Sequence, residues 1–369
     1  MHKRTALIMA AGTGGHIYPG LAIAQELVAQ GWAIVWLATP AGMEHKLVGR
    51  AGYPIEVVPM QGVRGKGAVA WLLMPLRLLR ALWVAAAIVR RVRPDVVISM
   101  GGYVALPGGV VAALMGRPLV VHEPGAHAGL TNRVLALFAQ RVLVGFPHTF
   151  DQEPKNALAR RLPRPQRVEW LGTPVRADIA ALADPRVRFQ GRSGPLRLLV
   201  VGGSLGAKTL NDLVVAALAA MDHGARPDVV HQSGEKNFDE LAAAYRAAKV
   251  DATVLPFIDD MAARLDWCDL MLCRSGAITV AELAAAGVAS VLVPLPYFVA
   301  EEQDANASFL AEAGAGVKVK QLETTPQSLA ALLASFTRER LLAMAEAARA
   351  LGKPDATSRC AHACLELAA

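Results

Sequence analysis

Aromatic side chains make up only 5% of this chain while hydrophobic residues make up 54%. That balance points to an α/β protein built on alanine, leucine and valine, with few rings beside its basic residues to stack on bases. With no nucleic-acid motif present, it argues against a nucleic-acid partner. Cysteine is scarce too: Cys268, Cys273, Cys360 and Cys364 have neither C-x-x-C spacing nor partnering histidines. A zinc site is therefore not expected and free thiols are. No D-x-D triplet occurs, so the carboxylate pair that elsewhere holds a metal on a sugar nucleotide is missing, and neither metal nor cofactor is expected. Nothing resembles a signal peptide, because Met1-His2-Lys3-Arg4 leads straight into the apolar run Ala6 to Ala10. The expected location is the cytoplasm. The run Ala68 to Val89 has roughly the length of a membrane span, but Pro75, Arg77 and Arg80 interrupt it, which rules against a spanning helix.

What is present is organised by charge and by glycine. The net charge of +7 hides an asymmetry: residues 1–172 carry 19 basic and 8 acidic side chains, net +11, and residues 173–369 carry 19 and 23, net −4. The basic half calls for an anionic partner, and an anionic lipid surface suits it. Gly62-Val63-Arg64-Gly65-Lys66-Gly67 is a basic loop that leads into the leucine-rich run. At helical spacing Arg77, Arg80 and Arg91 share one face while Leu72, Leu76, Leu79 and Trp83 share another. This is either an amphipathic helix for a membrane interface or a core helix with a solvated arginine face.

A length of 369 residues suggests two domains, each able to bury its own core. The first opens with strand Ala6 to Ala10, glycine loop Gly12-Thr13-Gly14-Gly15-His16 and a helix from Ile17 to Gln30. That geometry holds phosphate, but the spacing is G-x-G-G, and the next strand ends in Thr39-Pro40 without a ribose-binding acid, which argues against a nicotinamide cofactor. His16, at a helix N-terminus, is pushed toward its neutral form and is either a base at pH 7 or a cap of that helix. A second glycine turn, Gly101-Gly102-Tyr103, follows the strand Asp95 to Met100, so two loops could grip one diphosphate. Strands are also expected at Ala33 to Ala38, Pro118 to His122 and Arg141 to Gly145. The domain boundary is expected near Gly172-Thr173-Pro174, giving 1–172 and 173–369 with the last helix able to pack back on the first domain.

The second half repeats the opening: strand Leu196 to Val201, turn Gly202-Gly203-Ser204-Leu205-Gly206 and helix Lys208 to Met221. Further strands are expected at Asp228 to Gln232, Thr253 to Phe257 and Val288 to Pro294. The most informative stretch is Leu270 to Gly287. Its apolar start reads as a buried strand, Arg274-Ser275-Gly276 as a tight turn, and Thr279 to Ala286 as a helix closed by Gly287. The turn would aim unpaired backbone N–H groups at an anionic ligand such as a nucleotide. Glu282 either receives a sugar's hydroxyls or forms a capping box with Thr279. Two doubly wound, Rossmann-like α/β domains facing across a cleft are the architecture of the GT-B glycosyltransferases.

The segments GTGGHIYPGLA, GVRGKG, RPDVVISMGGY, AGLTN, GTPVR, VVGGSLGA, HQSG, PFIDDMA, CRSGAITVAEL and KPDAT run, over nearly the whole chain, in the order found in the MurG family of glycosyltransferase family 28, which this sequence resembles. The resemblance implies a hexosyltransferase of peptidoglycan synthesis, which moves GlcNAc from UDP-GlcNAc to the 4-hydroxyl of lipid-linked MurNAc-pentapeptide, converting lipid I to lipid II with inversion and without metal. By the resemblance the first domain holds acceptor and membrane, and the second holds UDP-GlcNAc. Carried over by position, Thr13, Gly14 and Gly15 approach the donor, Arg176 and Ser204 bind its uridine diphosphate, and Ile258 meets the uracil edge. Ala277, Ile278, Thr279, Val280, Ala281 and Glu282 form the nucleotide-binding turn and helix, with Glu282 on the ribose, and Gln303 contacts the sugar. The acceptor's diphosphate lies between the Gly14-Gly15 and Gly101-Gly102-Tyr103 loops, and His16 or Glu123 is the general base. The implied place is peripheral, on the cytoplasmic face of the inner membrane, with other cell-wall synthesis and division proteins as partners.

Three positions depart from the family's usual pattern. His122-Glu123-Pro124-Gly125 stands where HEQN is usual, Thr173 where GNPVR has asparagine, and Ala300-Glu301-Glu302-Gln303 where DDHQ is common. They bear on sugar positioning, and leave open a related GT-B enzyme with another lipid acceptor, or a weakened nucleotide-sugar-binding scaffold.

Overall fold

A computed structural model describes residues 3–12, 14–60, 72–154, 157–203, 206–296 and 300–368. The chain divides into two compact units, Met1–Arg176 with Asp355–Ala369, and Ala177–Pro354. The first unit alternates strand and helix: β1 (Thr5–Ala10), α1 (Gly14–Ala29), β2 (Ala33–Ala38), α2 (Met43–Arg50), β3 (Ile55–Val57), α3 (Met74–Val92), β4 (Val96–Gly101), α4 (Ala105–Leu114), β5 (Leu119–Glu123), α5 (Leu130–Leu135), β6 (Arg141–Val144), α6 (Ala157–Arg160) and β7 (Glu169–Trp170). Its strands lie in the order β3-β2-β1-β4-β5-β6-β7, all paired parallel. Apolar strands buried on both faces suit helices packed on each side of such a sheet.

The second unit repeats the plan with α7 (Ala177–Ala180), α8 (Pro185–Phe189), β8 (Arg197–Val201), α9 (Lys208–Ala219), β9 (Asp228–Gln232), α10 (Phe238–Ala248), β10 (Thr253–Leu255), α11 (Met261–Trp267), β11 (Leu270–Cys273), α12 (Ala277–Ala286), β12 (Ser290–Leu292), α13 (Ala300–Glu312), β13 (Gly316–Lys318), α14 (Pro326–Ala334) and α15 (Arg338–Leu351). The sheet order is β10-β9-β8-β11-β12-β13, again parallel throughout. The last helix, α16 (Ala356–Leu367), returns to the first unit, where buried Cys360, Ala361, Ala363 and Cys364 join the core on the α1 side of the sheet. All four cysteines are buried free thiols.

Several boundaries differ from the sequence reading for identifiable reasons. Helix α1 begins at Gly14 rather than Ile17, because Gly12 turns the chain at φ +102°, a conformation that costs glycine little. Two glycines and His16 therefore lie in its first turn. Pro75 does not interrupt α3 but starts it, where a missing N–H has no helical partner to lose. Helix α12 begins at Ala277 behind Gly276, an N-cap without any side-chain hydrogen bond, so Thr279 is already inside the helix and the capping box with Glu282 does not form. The strands β3, β7 and β13 have no counterpart in the sequence reading; they have three, two and three residues, too short to show a period. Each sheet has its topological switch beside its central strand, β1 against β4 and β8 against β11, and ligand crevices open there at the carboxyl ends of such strands.

Candidate active site

At the switch point of the first unit, β1 and β4 slip by one residue between Met9↔Ser99 and Ala10↔Gly101. This bulge brings Gly101 and Gly102 against the loop after β1. Both have positive φ, +101° and +88°. A Cβ on Gly102 would lie 2.6 Å from the Ala11 carbonyl oxygen, and one on Gly101 would lie 2.9 Å from His16 Cδ2 and 3.0 Å from Nε2. Glycine is required at both positions by backbone and by space. The His16 ring thus packs its Nε2 edge over Gly101. Its Nδ1 is buried without a well-formed hydrogen bond. Burial lowers the imidazole pKa, and the Ala11 carbonyl opposes this without reversing it, so the ring is neutral at pH 7.

Glu123 ends β5 and is buried. Its carboxylate accepts from Gly129 N at 3.0 Å, Asn132 Nδ2 at 3.0 Å and Gly125 N at 3.4 Å. Asn132 also donates to the His122 carbonyl at 3.2 Å and accepts from Ser99 Oγ at 2.9 Å. In the sequence Asn132 stands inside the AGLTN segment and Ser99 inside a strand, with no role attached to either. A buried asparagine three residues after a glycine turn, facing a strand serine, was the available signal. Gly14 and Gly15, half-buried, begin α1, where their N–H groups have no acceptor within the helix. Tyr103 is exposed on the β4–α4 turn, and half-buried Arg176 is in the segment that leaves the unit. Thr13 lies outside the described residues, as do the Gly62 to Gly67 loop, residues 68–71 and Ser204.

At the switch point of the second unit, Ala277, Ile278 and Thr279 present N–H groups with no helical acceptor, and the first intrahelical bond runs from Val280 N to Gly276 O. Such a terminus holds anions. The side chains of Ala277 and Val280 are buried, while Ile278, Thr279, Ala281 and Glu282 are half-buried, so the first two can serve a ligand only through their backbone. Arg274, in the preceding turn, points elsewhere: it donates to the Val293 and Pro294 carbonyls at 3.0 and 3.2 Å and to Gln321. Ser275 Oγ donates to the Gln303 carbonyl at 2.7 Å, and Gln303 Oε1 accepts from Leu295 N at 3.1 Å. The turn is therefore bolted to α13, with the side-chain amide nitrogen of Gln303 left as a donor.

Ile258 is buried and its N–H donates to Gln232 Oε1 at 3.0 Å, so a base edge would meet its carbonyl rather than its N–H. The other end of the same side chain, Gln232 Nε2, donates to the Gly203 carbonyl at 3.1 Å. One buried glutamine thus spans the turns after β8 and β10. It lies in the HQSG segment but was not singled out from the sequence.

Helix α3 turns one face inward and the other outward. Ala81, Ala85, Ile88 and Val89 face the core. On the opposite face Leu76, Leu79 and Trp83 are 65%, 63% and 75% exposed. Arg77 and Arg80 beside them are exposed, whereas Arg91 pairs with Glu56 at 2.5 Å. No described helix is long and apolar enough to cross a membrane.

Residues 6–144 match the glycosyltransferase family 28 N-terminal domain and residues 197–360 the family 28 C-terminal domain. The chain is 53% identical, over 99% of its length and 98% of the relative's, to the UDP-N-acetylglucosamine–N-acetylmuramyl-(pentapeptide) pyrophosphoryl-undecaprenol N-acetylglucosamine transferase of Aromatoleum aromaticum. To the enzyme of that name from Paracidovorax citrulli it is 51% identical, over 100% of this chain and 99% of the relative. The crystal structure of Acinetobacter baumannii MurG superposes with a TM-score of 0.83 at 38% identity, covering 98% of this chain and 99% of that one.

Proposed function

The chain belongs to glycosyltransferase family 28, and from that premise we propose that it transfers GlcNAc from UDP-GlcNAc to the MurNAc 4-hydroxyl of undecaprenyl-diphosphate-linked MurNAc-pentapeptide, converting lipid I to lipid II. The observation that carries this reading is full-length identity above one half to a transferase of that name. The second unit takes the donor: the N–H groups at the start of α12 receive the diphosphate, Glu282 the ribose, and Gln303 the sugar. Arg176 and Ser204 are assigned to the same diphosphate. The first unit takes the acceptor, its diphosphate held between the Gly14-Gly15 turn and Gly101-Gly102-Tyr103.

The acceptor hydroxyl attacks C1 of GlcNAc and the bond from C1 to the β-phosphate oxygen breaks. Its electron pair leaves with UDP, the configuration inverts, and the proton passes to His16 Nε2. His16 is the better base of the two expected residues because it is neutral and its Nε2 edge is at the glycine turns. Glu123 is already committed to three N–H donors, and holds the 123–129 loop. Backbone N–H groups stabilise the departing diphosphate without metal.

Attachment is peripheral, through the Leu76, Leu79 and Trp83 face of α3 with Arg77 and Arg80 on anionic headgroups. The test is UDP release from UDP-GlcNAc, with chelator present, with and without the lipid-linked MurNAc acceptor. Acceptor-dependent release supports the reading. Release only with a different lipid acceptor, or UDP-GlcNAc binding without release, overturns it.

A further inference from the structure

Glu44 is a fully buried carboxylate outside every motif that the function uses. It lies in the first turn of α2, after the Thr39-Pro40 end of β2. Its Oε1 accepts from Thr39 N at 3.1 Å and Thr39 Oγ1 at 2.5 Å, and its Oε2 accepts from Gly12 N at 3.4 Å. Burial pushes its pKa up, but the Thr39 hydroxyl and the amides of Glu44 itself, Thr39 and Gly12 outweigh burial and leave it lowered. The carboxylate is therefore charged at neutral pH. It joins the turns that follow the two neighbouring strands β1 and β2.

Two further observations give this contact a purpose. Nothing lies within 4 Å of the place where a Gly12 Cβ would be, so Gly12 has no side-chain packing of its own to hold it. Second, a Cβ on Gly42 would lie against the Glu44 carboxyl group, 2.6 Å from its Cδ and 2.7 Å from Oε1. Gly42 has φ 176°, an extended conformation open to any residue. The space at residue 42 is reserved for the carboxylate, not for a glycine backbone.

We propose that Glu44 is the positioning residue of the acceptor site: it holds Gly12, and through it aims the N–H groups of Gly14, Gly15 and His16 at the acceptor's diphosphate. This rests on the assignment of that loop to the acceptor. By taking one loop N–H on the sheet side, the carboxylate fixes which N–H groups remain for the ligand. A buried negative charge that already has its own donors does not compete for them.

Initial-rate kinetics over both substrates test it in Glu44→Gln, Gly42→Ala, Glu44→Ala and the double variant Gly42→Ala/Glu44→Ala. Glutamine turns one N–H against a donor, and the methyl group added by Gly42→Ala displaces the carboxylate, so each should raise the acceptor KM roughly tenfold, the scale of a charge-assisted hydrogen bond. The donor KM and UDP affinity should stay within about twofold. Adding Gly42→Ala to Glu44→Ala should cost nothing more, because the atoms it strikes are gone. If Glu44→Ala does not fold, the glutamine and Gly42→Ala arms decide. Acceptor KM unchanged in both, with normal transfer by the unaltered protein, overturns this proposal alone. Donor and acceptor KM rising together with a lower melting point would make Glu44 a plain structural residue and also overturn it. Absence of transfer by the unaltered protein overturns the functional reading and removes the ground for this one.

Discussion

The Thr173 hydroxyl donates to the Pro124 carbonyl at 3.0 Å, joining two positions at which the sequence departs from its family's usual pattern. Gly125, next in the chain, has its carbonyl held by Thr149 Oγ1 at 3.2 Å and its N–H by Glu123. Gly145 supplies the room: a Cβ there would lie 2.5 Å from the Pro124 oxygen and against Thr173 Oγ1. The loop after Glu123 is thus pinned by its backbone, with no side chain at residue 125 to reach a ligand.

The resemblance gives the family's asparagine at this position a hydrogen bond to the donor's sugar, which glycine cannot make and which is worth roughly 0.5 to 1.5 kcal/mol. We therefore expect the protein to bind UDP about as well as UDP-GlcNAc, and to discriminate weakly between UDP-GlcNAc and its C4 epimer. Gly125→Asn should improve discrimination about three- to tenfold, provided Thr173 keeps the loop in place. Competing turnover on the two donors measures it, and strong preference in the unaltered protein would contradict it.

Acid should loosen the fold through its buried histidines. Burial lowers the pKa of His122 to about 4 and that of His231 to about 3, below the ordinary value of 6.5. The unfolded chain therefore binds more protons than the folded one once pH drops below about 6.5, and stability falls with pH. At pH 5 each histidine should cost about 2 kcal/mol. The melting midpoint should decline steadily from pH 7 to pH 5. An unchanged midpoint over that range would mean that these rings are charged in the fold.

On the exposed face of α3, Leu76→Ser, Leu79→Ser and Trp83→Ser together should reduce binding to anionic liposomes several-fold, with UDP affinity unchanged. Each basic residue near such a surface adds about 1 kcal/mol, so the remaining binding should weaken in high salt. Sedimentation with vesicles reports both, and equal sedimentation of the variant would contradict the membrane role.

Gln232→Leu should strand the Gly203 carbonyl and the Ile258 N–H, both of which it now satisfies. Unpaired buried polar groups cost about 1 to 3 kcal/mol each. We expect UDP affinity to fall at least tenfold while liposome binding is kept. Calorimetric titration with UDP checks this, and normal affinity would remove Gln232 from the donor site.

Much of this was legible in the sequence where one signal sufficed. The repeated strand, glycine turn and helix at Ala6, Leu196 and Leu270 marked both sheets, because a buried strand and a phosphate-holding turn each impose their own residue types. Less legible was anything fixed by a distant partner. Glu44 reads as a surface acid until Gly12 and Thr39 close on it, and Asn132 as a helix residue until Ser99 and Glu123 meet its amide. Arg274 looks like a phosphate ligand by position, yet its two terminal nitrogens are engaged by the Val293 and Pro294 carbonyls just after β12 and by the Gln321 side chain. The outward face of α3 could not be told from an inward one by period alone, since both orientations give the same spacing.

The most direct measurement follows labelled GlcNAc from UDP-GlcNAc into the lipid fraction of vesicles that contain undecaprenyl-diphosphate-linked MurNAc-pentapeptide, comparing the unaltered protein with His16→Ala. We expect acceptor-dependent labelling that falls roughly 10² to 10⁴-fold in the variant, the range for loss of a general base, with UDP affinity intact. Label that stays in the aqueous phase with the unaltered protein, or equal labelling by the variant, would contradict it.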